Sequence, residues 1–257
     1  MRRLDDKARE LMSAANATGA IEIHEVATGA VVVATGVERD VAAPVLPLSV
    51  IKLYAAAVWW NHETSDGAFP HPKRGTLTVT DALVDGYDLP GEQMAVALRA
   101  KLGARAVLDE LRALGLRSLT LEPDATDAVW GATLSIGERD ARVTLAEVSH
   151  FLRRLGSGNL PDATTKKLLA AMAACVERGT AKGAAPTLVG TKWRLAGKTG
   201  SGPTVGVTPP DQLDGWFAGL ILDGDVPRYT IAVYIDHRGY GGGVAATLAA
   251  QLARELD

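Results

Sequence analysis

A serine and a lysine three residues apart, Ser49 and Lys52, open the apolar run PLSVIKLYAAAVWW at residues 47–60. On a helix that spacing puts both side chains on one face, with Cβ atoms about 5–6 Å apart. The hydroxyl and the amine are then within reach of each other at a helix start, where the macrodipole also favours developing negative charge. Ala55, Ala56, Ala57, Val58 and Trp59 read as a helix packed into a core, with Pro47 and Leu48 as its lead-in. Burial disfavours an ammonium ion, and a lysine whose pKa is depressed in this way can take a serine proton. A plainer arrangement stays open on these residues alone, with Ser49 as an N-cap and Lys52 snorkelling to the surface.

A second group of chemical residues lies at LAGKTGSG, residues 195–202, at the end of an expected strand. There Lys198 is suited to hold a substrate carboxylate and Thr199 to donate a hydrogen bond to it. Gly200 removes the side chain that would block close approach of a ligand to the backbone. A glycine turn ending a strand, with an incidental lysine, would read the same way.

The elements that must position these residues follow from pattern. The 257-residue chain is 47% hydrophobic, enough for one large domain or two closely joined lobes. MRRLDDKARELMSAANATG reads as an amphipathic helix without the apolar segment of a signal peptide, so export by that route requires a leader removed beforehand. AIEIHEVATGAVVVATG alternates as a hairpin around Thr28-Gly29. Residues 61–75, rich in Gly, Pro and His, read as a loop. From about Leu77 to Gly183 the pattern is mostly helical, and strands return at TKWRLAGKTG, DGWFAGLILDG and RYTIAVYID. GGVAATLAAQLAREL closes the chain as a helix, reached through the connection HRGYGGG, residues 237–243, which is flexible or borders the cleft. The expected fold is α+β: a five-stranded antiparallel sheet flanked by N- and C-terminal helices, with a helical insertion. The sheet lobe takes about residues 1–48 and 184–257 and the helical lobe about 49–183, within a single domain.

Composition excludes several classes of function. A net charge of −3 gives no electrostatic reason to expect nucleic acid. The one cysteine, Cys175, forbids an intrachain disulfide and reads as a buried packing residue. The five histidines are scattered, no cluster has metal-ligand spacing, and no metal or cofactor is expected. No stretch is long enough to span a bilayer. Trp59 and Trp60 read as core, while of Trp216 and Phe217 one should face the core and the other a sheet neighbour or the site rim.

Ser-x-x-Lys early and Lys-Thr-Gly late, separated by a helical block, is a far more specific combination than either alone. With it the chain resembles the penicillin-binding protein transpeptidase domains and serine β-lactamases. PLSVIKLYAAA resembles their nucleophile helix. SIGERDARVTLAEVSHFLRRLGSG resembles the Gly-x-Gly-x-x-x-Val-Thr-Pro stretch before a helix in penicillin-binding proteins. VERGTAKGAAPTLVGTKWRLAGKTGSG resembles the approach to the third motif, and DGWFAGLI the strand after it. The resemblance implies Ser49 as nucleophile, Lys52 as its base, Lys198 and Thr199 at the substrate carboxylate, and backbone N–H groups of Ser49 and Ser201 as an oxyanion hole. It also implies an extracytoplasmic location.

The middle motif of that family, Ser-x-Asn, falls here on Gly86-Tyr87-Asp88. The serine hydroxyl that helps pass a proton to the leaving nitrogen becomes Gly86, and the asparagine becomes Asp88, which is free to pair with Lys52 or Lys198. Tyr87 offers a phenol beside them. Three functions fit the resemblance. One is a D,D-transpeptidase or D,D-carboxypeptidase acting on peptidoglycan stem peptides. Another is a β-lactamase: Glu122 lacks the omega-loop pattern of class A, while Lys52, in an apolar stretch, would serve as the carboxylated lysine of class D, although the tryptophan that class has just before GERDARVT is missing. The third is a β-lactam or muropeptide sensor that stays acylated.

Overall fold

The computed structural model describes residues 2–137, 141–203, 213–237 and 241–256. Among them α1 (Arg2–Ala14) leads into the hairpin β1 (Thr18–Glu25) and β2 (Val31–Val37). A 3₁₀ turn at Leu48–Val50 runs into α2 (Ile51–His62). A short second hairpin, β3 (Phe69–His71) and β4 (Gly75–Leu77), follows where the composition had indicated only loop. Helices α3 (Val79–Val84), α4 (Asp88–Leu102), α5 (Ala104–Ala113), α6 (Asp127–Ser135), α7 (Leu145–Gly156) and α8 (Asp162–Glu177) come next. Strands β5 (Trp193–Pro203), β6 (Leu213–Asp223) and β7 (Val226–Asp236) and helix α9 (Val244–Arg254) complete the order. Part of the glycine-rich connection before α9, residues 238–240, and residues 138–140 of the GERDARVT stretch lie outside the described residues.

The long strands form one antiparallel sheet in the order β2-β1-β7-β6-β5. Both of its faces are covered, so β5 and β6 are buried almost throughout rather than alternating, and β6 is apolar over most of its length. Trp216, Ala218, Leu220, Ala232 and Tyr234 point into one core with α2 and α7, and Phe217, Ile221, Ile231 and Val233 into another with α1 and α9. Trp216 and Phe217 are therefore both fully buried, one on each face, and neither lies at a rim. A residue flanked by layers on both sides has no exposed face to give up.

Local signals account for several boundaries. Capping boxes at Thr78/Asp81 and Thr144/Glu147 start α3 and α7, and the Thr126 hydroxyl caps α6. In α7, Leu145, Val148, Phe151, Leu152 and Leu155 make one buried stripe that packs on β1 and β7. Helix α2 has no such stripe. Every residue from Ile51 to Trp60 is buried, so it runs through the interior with other elements around it. Its Tyr54 hydroxyl donates to the Glu147 carbonyl at 3.0 Å, tying it to α7.

Two glycines separate backbone strain from crowding. Gly19, in β1 with φ +146°, would bring a Cβ to 2.1 Å from the Tyr234 carbonyl oxygen, whereas Gly158, φ +72°, has open space around it. Gly158→Ala should cost only the left-handed penalty of about 1–2 kcal/mol. Gly19→Ala should cost clearly more, because β1 must also move off β7. Denaturant unfolding of the two variants checks the order, and equal losses would contradict it.

Candidate active site

Ser49 sits inside the 3₁₀ turn, and Lys52 is in the first turn of α2. The Lys52 side chain is 0% exposed. Its Nζ donates to Ser49 Oγ at 2.8 Å and to Asp88 Oδ1 at 2.7 Å. The arrangement in which Lys52 snorkels to the surface is thus excluded, and Ser49 makes no side-chain cap. Burial is the dominant influence on Lys52 and pulls its pKa below the ordinary lysine value. Asp88 opposes that pull by charge and hydrogen bond, and Glu92 by charge. An amine so placed, in contact with a hydroxyl, is arranged to accept that hydroxyl's proton.

Asp88 is the first residue of α4, so the middle stretch is a helix start rather than a loop. Its carboxylate pairs with Lys52 and not with Lys198. The side chain is 51% exposed, leaving the group open to solvent on its far side. Its main-chain carbonyl accepts from the Ser135 hydroxyl of α6 at 2.9 Å. Gly91, one turn along α4, allows this convergence: a Cβ there would lie 2.4 Å from Ser135 Oγ and 3.0 Å from Lys52 Cε. Glu92 follows on the same helix, its carboxyl pushed up first by burial and then by Asp88.

Gly86 and Tyr87 do not join this cluster. Gly86 has φ +77°, so its identity meets a backbone need, and a serine there would be strained. Tyr87 stacks on the second hairpin, its ring 4.9 Å from the Arg74 guanidinium and 5.9 Å from the His71 ring.

β5, at the edge of the sheet, brings in the second group. Lys198 is 1% exposed and its Nζ donates to the Thr199 carbonyl at 2.8 Å. Burial pushes its pKa down to about 8, with Lys52 adding to the depression and Cys175 opposing it. The Thr199 hydroxyl bonds the Thr180 hydroxyl at 2.6 Å, and Thr180 in turn meets Cys175 Sγ at 3.3 Å. Cys175 is buried, as its apolar helix requires. Ser201 Oγ accepts from the Gly241 N–H at 2.9 Å. At Gly200 a Cβ would lie 3.1 Å from Leu48 Cβ and 3.3 Å from Ser49 N, which places the strand directly against the serine turn.

The sequence motifs therefore converge from α2, α4 and β5. Ser135, Gly91, Glu92 and Thr180 are neighbours that sequence reasoning did not single out. Their residue types are ordinary, and their place depends on helix packing. Glu122 is exposed. Among the described residues no group of three or more His, Cys, Asp or Glu side chains is placed to hold a metal, and no helix is long and apolar enough to cross a membrane.

The family model for the penicillin-binding protein transpeptidase domain matches residues 131–254. No curated protein sequence matches the chain. Among solved structures, the transpeptidase domain of FtsI4 D,D-transpeptidase from Legionella pneumophila is similar at TM-score 0.75 and 20% identity, over 100% of this chain and 95% of that one. A ceftriaxone acyl-enzyme complex of penicillin-binding protein A from M. tuberculosis is similar at TM-score 0.80 and 16% identity, over 98% and 77%. PBP2 of Helicobacter pylori, in complex with MreC, is similar at TM-score 0.79 and 17% identity; this chain spans only 62% of its length. The whole chain thus has the fold of the penicillin-binding protein transpeptidase domains, and residues 131–254 carry that family's sequence signature.

Proposed function

We propose that this chain is a penicillin-binding acyl-serine protein that acts on peptidoglycan stem peptides as a D,D-transpeptidase or D,D-carboxypeptidase. The observation that carries the reading is the buried Lys52 amine in contact with Ser49 Oγ at 2.8 Å. In this reading neutral Lys52 takes the Ser49 proton, and Oγ attacks the carbonyl of the penultimate D-alanine or of a β-lactam. The C–N bond then breaks, the nitrogen leaves with a proton, and an ester to Ser49 remains. Main-chain N–H groups of Ser49 and Ser201 hold the oxyanion, and donors so placed are commonly worth several kcal/mol. Lys198 and Thr199 receive the substrate carboxylate. The acyl-enzyme of penicillin-binding protein A with ceftriaxone supports the same chemistry here, and the transpeptidase-domain match supports a place outside the cytoplasm.

Gly86 supplies no hydroxyl to relay a proton to the leaving nitrogen. General acid–base help is typically worth about 10²–10⁴-fold, so acylation should proceed with slow turnover, as would also suit a sensor. A second reading, β-lactam hydrolysis, rests on Asp88, whose half-exposed carboxylate beside Lys52 is available to water. That carboxylate disfavours a carboxylated Lys52 of the class D kind, which would set two anions together.

Peptide mapping after benzylpenicillin should place the adduct on Ser49, and Ser49→Ala should lose it. Lys52→Arg keeps a charge that does not come off in proteins, so acylation should fall by orders of magnitude; a normal rate would rule out the base role. Intact mass followed over hours then separates the readings, since a persistent adduct fits slow turnover and a vanishing one fits hydrolysis.

Lys198→Met should lose acylation while stabilising the fold. Below its folded pKa of about 8 Lys198 is charged in both the folded and unfolded chains, and the full cost of burying that charge is present. The cost fades between about 8 and the ordinary lysine value of 10.5. At pH 7 the gain should be up to about 3 kcal/mol, shrinking as pH rises through that window. Denaturant unfolding across pH reads this directly, and a pH-independent difference would contradict it.

Asp88→Asn keeps an acceptor for Nζ and removes the charge that favours the ammonium. The acid limb of the acylation profile should therefore move to lower pH. An unmoved limb would show that Asp88 does not govern Lys52.

A further inference from the structure

Among the described residues four that are not glycine have positive φ: Asn16, Glu38, Leu48 and His237. The other three are exposed, whereas Leu48, φ +50°, is completely buried. A γ-branched apolar residue has no local reason to adopt the left-handed region, where its Cβ crowds the following carbonyl. Such outliers persist only when their surroundings over-determine them. Here the outlier stands immediately before Ser49.

The surroundings are three glycines from two parts of the chain. A Cβ on Gly137, just after α6, would come within 2.5 Å of both the Leu48 nitrogen and its carbonyl oxygen. On β5, a Cβ at Gly200 would lie 3.1 Å from Leu48 Cβ, and one at Gly202 would lie 2.6 Å from Leu48 Cδ2. The lead-in is pinned as well, since the Trp216 indole N–H donates to the Leu46 carbonyl at 2.8 Å. Backbone and side chain of Leu48 are thus gripped separately, and each grip needs a glycine. The peptide joining Leu48 to Ser49 lies against β5, with Ser49 N 3.3 Å from the Cβ position of Gly200.

We propose that Leu48 is a positioning residue whose left-handed backbone, clamped by Gly137, Gly200 and Gly202, aims the Ser49 N–H and hydroxyl at the carbonyl under attack. The inference rests on the acyl-serine reading given above. Leu48 touches no substrate in this account. It stores a strained turn that fixes where the oxyanion donor and nucleophile point, and such aim acts on the chemical step more than on ground-state binding.

The test uses benzylpenicillin with the whole chain and separates the noncovalent dissociation constant from the first-order acylation constant. Leu48→Gly abolishes both strain and grip. It should lower the acylation constant about tenfold or more while leaving the dissociation constant within about threefold, and Leu48→Met, which refills the clamp, should restore most of the rate. If Leu48→Gly does not fold, Gly202→Ala does the same work from the other side, pressing on Leu48 Cδ2 without altering the serine turn's own sequence. A folded variant of either kind with the wild-type acylation constant would overturn the proposal, as would equal losses in both constants. A wild-type chain left unlabelled at Ser49 would instead overturn the acyl-serine reading itself.

Discussion

Everything in this site depends on keeping an amine out of water while it touches a hydroxyl. Lys52 is buried on α2, which runs through the interior, and its Nζ meets both Ser49 and Asp88. Burial favours the neutral amine and the carboxylate favours the ammonium. The balance between these two opposed forces decides whether Lys52 is a base or a counter-ion. An exposed lysine in the same place would stay charged at neutral pH and have nothing to offer the serine.

The rest of the fold supplies that enclosure. Helix α2 must be apolar on every side, so the sheet, α7 and the helices from α3 to α8 surround it. Small residues let charged or polar neighbours approach: Gly91 admits Ser135 and the Lys52 stem, and Gly200 lets β5 lie against the serine turn. Lys198 is buried on β5, and the like charge of Lys52 adds to the burial that lowers its pKa. Two buried lysines near one serine make a site suited to anions, which matches a substrate ending in a carboxylate and a reaction that develops an oxyanion.

Much of this was legible in residue types and spacing. The Ser-x-x-Lys pair lies on one helical turn as spacing dictates, and the hairpin, the three later strands and the closing helix follow their apolar periods. The errors have physical reasons. Residues 69–77 form a hairpin although Pro70, His71, Pro72 and Gly75 argue for a loop, because Phe69 buries against Trp59 and Tyr87 stacks over the turn. Tyr87 thus keeps its ring against that turn and the Arg74 guanidinium. Asp88 had two candidate lysines, and only the packing of α4 against α2 decides between them. Leu48 gave no sign at all, since leucine is a poor left-handed residue and its conformation is imposed by glycines about 90 and 150 positions away in the chain.

The account's central claim is that burial outweighs Asp88 and holds the Lys52 amine below the ordinary lysine pKa. A titration of lysine side chains labelled at Cε, followed by NMR and assigned to Lys52 by the signal that Lys52→Arg removes, measures this without reference to any substrate. The predicted midpoint lies below the ordinary value of 10.5 and falls further in Asp88→Asn. A Lys52 that titrates at or above 10.5 in the folded protein would contradict the account.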